Sequence, residues 1–168
     1  MQKMNNASTL VRCTTTSDLD VVMSIYEYAR VRMRESGNPN QWINGYPSQD
    51  VICQDIINGN SYVIESGKKI IGVFTFIIGE DPTYRTIEGK WLNDNLYGTI
   101  HRIASAPGAK GIADMCLDFC KSKGVDIRID THADNAPMLG WIAKRGFTYC
   151  GIIYCHNGTP RRAFHLIH

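Results

Sequence analysis

Hydrophobic and polar positions along the chain follow two different spacings, one typical of helices and the other of strands. Leu19, Val22, Tyr26 and Met33 fall on one helical face, because they are separated by sums of three- and four-residue steps. Residues 125–131 instead alternate apolar with charged side chains, which is typical of a half-buried strand. The chain is therefore predicted to combine amphipathic helices with strands that bury one face.

Turn-forming residues divide the rest of the chain into predicted elements. Their order is a strand, two helices, three strands, a helix, a strand, a helix and two strands. Hairpins alternate with strand–helix–strand crossovers, so we expect a mixed sheet covered by helices. The predicted strands are residues 10–13, 62–65, 69–78, 99–105, 125–131, 147–155 and 162–167.

Three of the four predicted helices begin at a side chain that can accept hydrogen bonds from free backbone amides. Ser17, with Asp20 three residues later, is arranged like a capping box and opens the first helix. Ser48 and Asn135 are predicted caps of the second and fourth helices. The third helix is predicted at residues 112–123, directly after a glycine-rich loop.

Composition narrows the class of protein. The chain has 168 residues, 43% of them hydrophobic and 20% charged, with a formal net charge of +2. These values favour one folded domain and argue against disorder or a dedicated nucleic-acid binder. No apolar run approaches the ~20 residues of a membrane helix, and residues 1–8 lack the apolar centre of a signal peptide. We therefore expect a cytoplasmic domain at residues 9–168, a disordered or extended N-terminus at residues 1–8, and neither nucleic acid nor membrane as partner.

Six cysteines raise the question of disulfides or a metal site. They are Cys13, Cys53, Cys116, Cys120, Cys150 and Cys155, with no C-x-x-C pair among them. Several lie on apolar helix or strand faces, so we interpret them as reduced thiols that pack like small hydrophobic residues. The five histidines do not cluster with them at ligand spacing, so no metal is predicted. None of the six cysteines is placed to act as a nucleophile.

The segment with the clearest chemical signal is residues 100–113, where an apolar strand enters a glycine-rich loop and then a helix. Gly108, Ala109, Gly111 and Ala113 are small, so backbone amides there can closely approach a ligand. These amides lie at a helix N-terminus, which favours an anion, and Lys110 adds a positive charge. A phosphate or diphosphate is the expected ligand, and a turn selected only for tight packing is the alternative.

This loop and a second motif resemble those of the GNAT superfamily of acyl-CoA-dependent N-acyltransferases. The family pattern Gln/Arg-x-x-Gly-x-Gly/Ala is matched at Gly111 and Ala113, although Gly108 stands where Gln or Arg is usual. Asn135, followed by the Gly-Phe pair at 146–147, is similar to the family's second motif. The resemblance covers almost the whole chain and implies a GNAT-like α/β (α+β) fold. That fold is a mixed, mostly antiparallel sheet of about seven strands flanked by four helices.

The resemblance also implies acetyl-CoA as co-substrate. In GNAT proteins the loop amides bind the CoA diphosphate, and the pantetheine arm pairs with the end of the fourth strand. The implied cofactor-binding residues are Ile103, Ala104, Ser105, Gly108, Ala109, Lys110, Gly111, Ile112, Ala113 and Asn135. The acetyl group then lies where the fourth and fifth strands separate, and a free amine attacks the thioester directly.

The proton donor departs from the family pattern. Many GNAT members have a tyrosine five residues before the Phe of the Gly-Phe pair, and this chain has Ile142 there. Tyr149 or Tyr154 could protonate the leaving thiolate, or it could leave without a donor. We name Tyr154 as the candidate. The same departure supports the alternative of a CoA-binding domain without catalysis.

Two histidines are candidates for the base that deprotonates the amine. An imidazole, with a solution pKa of about 6.5, suits a base near neutral pH. His101 lies two residues before Ile103 and therefore shares its strand face, while His132 ends the fifth predicted strand. The alternatives are that His101 is hydrogen-bonded within the sheet and that His132 only orients a loop through Asp134.

Four residues are candidates for binding the acceptor. Trp42 and Tyr46 lie in the loop between the first two helices, where they form a substrate wall or pack on the core. Arg102 could pair with a substrate carboxylate or with Asp130. Glu80, with Asp81 beside it, could attract a cationic amine, and the alternative is that both acids are solvated at the end of a strand.

The sequence therefore predicts an enzyme, an N-acetyltransferase that moves an acetyl group from acetyl-CoA directly to a primary amine of a small molecule or peptide. The alternatives are a catalytically silent CoA-binding regulatory module and a nucleotide-phosphate binder unrelated to CoA. The oligomeric state is left open, with a homodimer as one option because GNAT proteins often dimerise.

Overall fold

The structure, a computed structural model, describes residues 8–168, so most of the predicted N-terminal segment 1–8 lies outside the described residues. The helices are α1 (Leu19–Glu35), α2 (Gln49–Ile57), α3 (Ile112–Lys121) and α4 (Ala136–Lys144). The strands are β1 (Thr9–Cys13), β2 (Ser61–Ser66), β3 (Lys69–Ile78), β4 (Glu88–Gly89), β5 (Tyr97–Ser105), β6 (Asp126–Thr131), β7 (Thr148–Tyr154) and β8 (Pro160–Leu166). Two 3₁₀ turns lie at Thr16–Asp18 and Pro82–Tyr84.

These eight strands form one sheet in the order β1-β2-β3-β5-β6-β8-β7-β4. β5 and β6 are parallel, and the other described pairs are antiparallel. The predicted mixed, mostly antiparallel sheet with four helices is confirmed. The additional strand, β4, lies in the polar stretch 79–98, where two residues are too few to show a period. Gly89 and Gly151 pair so closely there that a Cβ on Gly89 would collide with the Cys150 carbonyl oxygen, and one on Gly151 with the Glu88 carbonyl oxygen.

Two of the predicted helix caps are confirmed. Ser48 and Asn135 each accept a hydrogen bond from the backbone N–H three residues later, at 3.3 Å. The prediction that Ser17 opens the first helix is wrong, because a 3₁₀ turn precedes α1. In that turn the Asp18 carboxylate accepts from the Thr15 N–H at 2.8 Å, so the capping interaction lies two residues earlier than expected.

The sheet separates two hydrophobic cores, because successive strand residues face opposite sides. Phe74 packs with residues of α3 and α4, whereas its neighbour Val73 packs with residues of α1 and α2. In a third, smaller cluster, apolar side chains of the segment 82–97, such as Tyr84, pack on Ile153 of β7 and Ala163 of β8. Arg128, whose strand neighbours belong to the first core, stacks 4.1 Å from the ring of Trp91 in that segment. The helices α1 and α2 and this segment therefore cover one face of the sheet and leave a gap between them.

All six cysteines are free thiols. Cys116, Cys120 and Cys150 are buried, as expected for thiols that act as small hydrophobic residues, whereas Cys13 is exposed. Within residues 8–168 there is no group of three His, Cys, Asp or Glu side chains that could hold a metal ion. None of the described helices is both long enough and apolar enough to cross a membrane.

His165 on β8 is fully buried, and its surroundings oppose protonation. Its Nδ1 accepts a hydrogen bond from the Leu92 N–H at 3.3 Å, and its Nε2 lies 3.4 Å from an Asp126 carboxylate oxygen. Burial, together with the nearby Arg128 charge, lowers the pKa of His165 below its ordinary value of 6.5, which Asp126 offsets only in part.

We expect the free energy of unfolding to fall between pH 7 and pH 5. The unfolded chain takes up a proton at an imidazole pKa of about 6.5, whereas native His165 resists it, so the unfolded state binds more protons in this window. Urea unfolding at several pH values measures the slope. His165→Asn is the matched variant, because its Oδ1 can accept from the Leu92 N–H without titrating. The variant should be less stable than the unaltered protein at pH 7, but its free energy of unfolding should depend less steeply on pH. Equal slopes in the two proteins would show that His165 is not the cause of the pH dependence.

Candidate active site

β5 and β6 separate midway along their length. They are paired only as far as Ile100 and Ile129. Beyond that point β5 remains paired with β3 as far as Ser105, and β6 remains paired with β8 as far as Thr131. The edge of β5 that faces β6 therefore has no strand partner in its last part, within the described chain.

A cavity of about 690 Å³ opens at this separation. Its walls come from the α1–α2 loop, the end of β3, the separated ends of β5 and β6, and the β7–β8 turn. This size is ordinary for a small-molecule site. The site residues predicted from the sequence that line it are Trp42, Tyr46, Glu80, His101, Arg102, Ile103 and Asn135. Asp81, which was considered together with Glu80, also lines it, and so do polar residues that were not predicted for the site, among them Gln41, Asp130 and Arg161.

The backbone of β5 is irregular where the strands separate. Arg102 has a φ of 53°, a left-handed conformation that residues other than glycine rarely adopt. The register between β3 and β5 shifts nearby, and the Tyr26 hydroxyl on α1 donates to the Arg102 carbonyl oxygen at 2.9 Å. His101, Arg102 and Ile103 all line the cavity at this bulge.

The Arg102 guanidinium is held by a buried carboxylate. Its Nε and Nη2 donate to the two oxygens of Asp55 at 2.9 and 2.8 Å, and its Nη1 donates to the Tyr46 hydroxyl oxygen at 2.8 Å. Thr75 also donates to Asp55, at 2.9 Å. Pairing of Arg102 with Asp130, one of the two alternatives given for it, is therefore wrong. Because the charge of Arg102 is already paired with Asp55, Arg102 is not free to bind a substrate carboxylate. It positions the Tyr46 hydroxyl instead.

His101 forms a pair with Asp81 on the cavity wall. Its Nε2 lies 2.9 Å from Asp81 Oδ2, and Thr83 donates to the other carboxylate oxygen through its N–H and hydroxyl. Burial alone would raise the pKa of Asp81, but the hydrogen bonds from His101 and Thr83 lower it to about 2. An ionised carboxylate only accepts, so His101 Nε2 carries the hydrogen, and in the neutral imidazole the lone pair is on Nδ1.

Two other predicted catalytic residues do not line the cavity. His132 Nδ1 accepts from the Asp134 N–H at 3.0 Å, which is the loop-orienting arrangement given as its alternative. Tyr154 is on the exposed side of β7, where its hydroxyl donates to Glu88 at 3.0 Å. Its neighbour Ile153 lines the cavity instead, because adjacent strand residues point in opposite directions.

The predicted acceptor residues occupy one side of the cavity. Trp42 and Tyr46 line it, and Trp42 packs edge-on against Tyr26 at a centroid distance of 5.8 Å, so the loop aromatics form a wall and are also tied to α1. Glu80 lies at the rim in an exposed ion pair with Arg85.

Gln41 ties the α1–α2 loop to β6 and α4. Its Oε1 accepts from Asn38 at 2.9 Å, from Asn135 at 3.0 Å and from Thr131 at 3.2 Å. Asn135 also donates to Thr131 and caps α4 with its oxygen. The side chain of the predicted cofactor ligand Asn135 is therefore already hydrogen-bonded to protein groups through both its N–H₂ group and its oxygen.

The glycine-rich loop ends at the first turn of α3. Gly108 and Gly111 have φ values of 75° and 74°, and Gly111 is the residue directly before the helix. The amides of Ile112 and Ala113 have no acceptor within the helix, and none elsewhere among residues 8–168. Lys110 is exposed beside them. This arrangement can bind an anion such as a diphosphate.

Solved acetyltransferase structures are similar to the chain over nearly its full length. A GNAT-family acetyltransferase from Streptococcus agalactiae shares 32% identity, with 95% of each chain covered and a TM-score of 0.84. An N-acetyltransferase from Staphylococcus aureus shares 20% identity over 95% of this chain and 98% of that one, with a TM-score of 0.63. One chain of the NatC complex bound to Gag peptide and CoA shares 13% identity over 96% of this chain and 99% of that one, with a TM-score of 0.64. The second and third likenesses show the fold alone. No protein-family model and no curated protein sequence matches the chain.

Proposed function

Because the chain belongs to the GNAT family of acetyltransferases, we propose that it moves an acetyl group from acetyl-CoA directly to a primary amine of a small molecule or peptide. One observation carries this proposal. The His101–Asp81 pair and the unpaired edge of β5 meet at a single cavity. Amine acetylation by direct transfer needs a base beside the site where an extended acyl carrier binds, and this cavity has both features.

The loop and the strand edge fit CoA. The free amides of Ile112 and Ala113 and the charge of Lys110 suit its diphosphate, and the backbone of residues 103–105 can pair with the amide-bearing pantetheine arm. The NatC neighbour, which was solved with CoA, supports this choice of co-substrate. We leave Asn135 out of the proposed cofactor site, because its side-chain amide already binds Gln41 and Thr131.

Three side chains have proposed roles in the reaction, for which bound acetyl-CoA supplies the thioester. His101 Nδ1 takes a proton from the acceptor amine as the amine nitrogen bonds to the carbonyl carbon, and ionised Asp81 stabilises the imidazolium. As the C–S bond breaks, the Tyr46 hydroxyl gives a proton to the leaving sulfur. Its oxygen already accepts from Arg102, so its hydrogen is free for that bond. Tyr154 and His132 are not included, because neither lines the cavity.

A second candidate function, CoA binding without catalysis, is favoured by Ile142. This residue occupies the usual tyrosine position and is fully buried in the core, so it cannot protonate sulfur. Thiol release from acetyl-CoA, measured across a panel of primary amines with mass analysis of the products, separates the two candidates. Acetylated amine supports the enzyme, and binding of acetyl-CoA without thiol release from any acceptor supports the silent module.

The CoA site is tested by Gly111→Val. At 100 times its dissociation constant, acetyl-CoA should stabilise the native protein by about 2.7 kcal/mol and raise the melting temperature. Gly111→Val should remove most of this increase, because a β-branched residue cannot comfortably keep a φ of 74° and the amides beside it then move. Gly124→Val is the matched control, since Gly124 follows α3 with a φ of 70° and open space around it. An unchanged increase in Gly111→Val would reject the loop as the CoA site.

A further inference from the structure

Arg161 places a buried positive charge on the cavity wall. It lies on β8, is 6% exposed and lines the cavity beside the β7–β8 turn. Its guanidinium donates only to uncharged oxygens, which are Thr159 Oγ1 at 3.2 Å, the Pro160 carbonyl at 2.9 Å and the Gln41 carbonyl at 3.1 Å. A buried arginine is normally paired with a carboxylate. No carboxylate lies within salt-bridge distance of this one among residues 8–168.

Two of the guanidinium hydrogens have no acceptor in the described chain. Arginine has five N–H donors, and the three hydrogen bonds use both hydrogens of Nη1 and one of Nη2. The hydrogen on Nε and the second one on Nη2 remain. Donors on two adjacent guanidinium nitrogens are the fork that binds a carboxylate.

Most of the other charged groups of the cavity are paired. Asp81 binds His101, Glu80 is paired with Arg85, and Arg102 is paired with Asp55. Asp130 accepts from the neutral Tyr84 hydroxyl at 2.6 Å and, like Arg161, has no oppositely charged side chain within salt-bridge distance among residues 8–168. Arg161 is therefore the cation of the cavity wall that has no carboxylate partner.

A second buried arginine shows what a purely structural role requires. Arg128 also lacks a carboxylate, but its guanidinium lies 4.1 Å from the ring of Trp91 and 3.8 Å from that of Tyr97. Such stacking stabilises a buried cation. No aromatic ring stacks on Arg161 in residues 8–168, and Arg161 faces the cavity whereas Arg128 does not line it.

We propose that Arg161 binds the carboxylate of the acceptor, so that the enzyme acetylates a free amino acid in preference to a simple amine, a polyamine or a peptide N-terminus. The inference rests on the proposed function and names the substrate class of the same cavity. Apolar groups on the cavity wall suit an apolar side chain on that amino acid, and they include Met33, Trp42, Ile77 and Met138.

The first test uses the unaltered protein and matched acceptors. Leucine, leucinamide and isoamylamine share an amine and an apolar chain, and only leucine has the carboxylate. With acetyl-CoA, kcat/KM for leucine should exceed that for the other two by about 10- to 100-fold, the usual effect of a hydrogen-bonded charge. Equal or faster acetylation of the amide or the amine would overturn the carboxylate site while leaving the proposed function intact.

The second test uses Arg161→Gln and Arg161→Lys. Glutamine can still donate to the Gln41 carbonyl but has no charge, so the preference for leucine over isoamylamine should disappear through a higher KM for leucine. Lysine should keep part of the preference. Arg162→Gln is the matched control, since Arg162 is exposed on the opposite side of β8 and its loss makes the same change in net charge.

A binding measurement keeps the two proposals distinguishable. Calorimetry of leucine added to the CoA-saturated protein should show binding that Arg161→Gln abolishes and Arg162→Gln retains. If no acceptor is acetylated, the proposed function fails, and this measurement still decides the carboxylate site. Absence of leucine binding to the unaltered protein, or equal binding to Arg161→Gln, would overturn it.

Discussion

Replacing His101 with glutamine is expected to lower kcat for acetyl transfer by about 10²- to 10⁴-fold, the usual contribution of a general base. Glutamine can still donate to Asp81, so the wall of the cavity should be preserved, but it cannot take a proton from the amine. Binding of acetyl-CoA should not change, because the loop that we assign to the diphosphate lies beyond the end of β5. Steady-state kinetics with saturating acetyl-CoA measure the effect.

His132→Gln is the comparison that discriminates between the two histidines predicted from the sequence. It makes the same chemical change outside the cavity, so its kcat should fall far less than that of His101→Gln. A larger loss in His132→Gln would show that the base is assigned to the wrong residue.

Tyr46→Phe tests the proposed proton donor independently of the proposed base, His101. Phenylalanine keeps the aromatic wall beside Trp42 but has no hydroxyl to protonate sulfur or to accept from Arg102. We expect kcat to fall while KM for acetyl-CoA stays the same. An unchanged kcat would mean that the thiolate leaves without this donor.

Replacing Asp55 with asparagine is expected to lower the free energy of unfolding by about 3–5 kcal/mol, the usual cost of leaving one member of a buried ion pair without its partner. The side chains of Arg102 and Asp55 are only 11% and 9% exposed. Asparagine has the same shape, but it presents an N–H₂ group to a guanidinium that can only donate. Urea unfolding near neutral pH measures the loss.

Two further variants show whether burial is the cause. Glu35→Gln breaks the exposed Arg32–Glu35 pair and should change stability far less, because water solvates the remaining charge. The double variant Asp55→Leu with Arg102→Met should recover most of the stability lost in Asp55→Asn, since it buries no charge. Equal effects of Glu35→Gln and Asp55→Asn would show that burial of the Arg102–Asp55 pair is not the cause of the expected loss of stability.

Features that depend on neighbours in the chain were predicted well. The caps Ser48 and Asn135 bind amides three residues away, and Gly111 sits directly before the helix that it was expected to precede. Each of these interactions is complete within about one helical turn, so the local order of residues is sufficient to predict it. The error at Ser17 has the same scale, because Asp18 and Thr15 form the capping contact two residues earlier.

The side-chain pairs of the site were not predictable in this way. Asp81 and His101 are 20 residues apart, Asp55 and Arg102 are 47 apart, and Gln41 and Arg161 are 120 apart. Which of these meet depends on strand order and register, which no local spacing specifies. The sequence did contain one signal for Asp55. It lies three residues after the core residue Ile52, so it falls on the buried face of a mostly apolar helix, where a buried charge requires a partner.

The sequence by itself determined the elements, their order, the helix N-terminus suited to an anion and the resemblance to the GNAT superfamily, because each of these depends on periods and motifs contained within a few residues. The tertiary structure decided which polar residues face the cavity. Adjacent residues of β7 point in opposite directions, so Ile153 lines the cavity and Tyr154 does not, and the separation of β5 from β6 beyond Ile100 and Ile129 opens the cavity. Strand order and register, which depend on residues far apart in the chain, therefore bring Asp81, Tyr46 and Arg161 into the site.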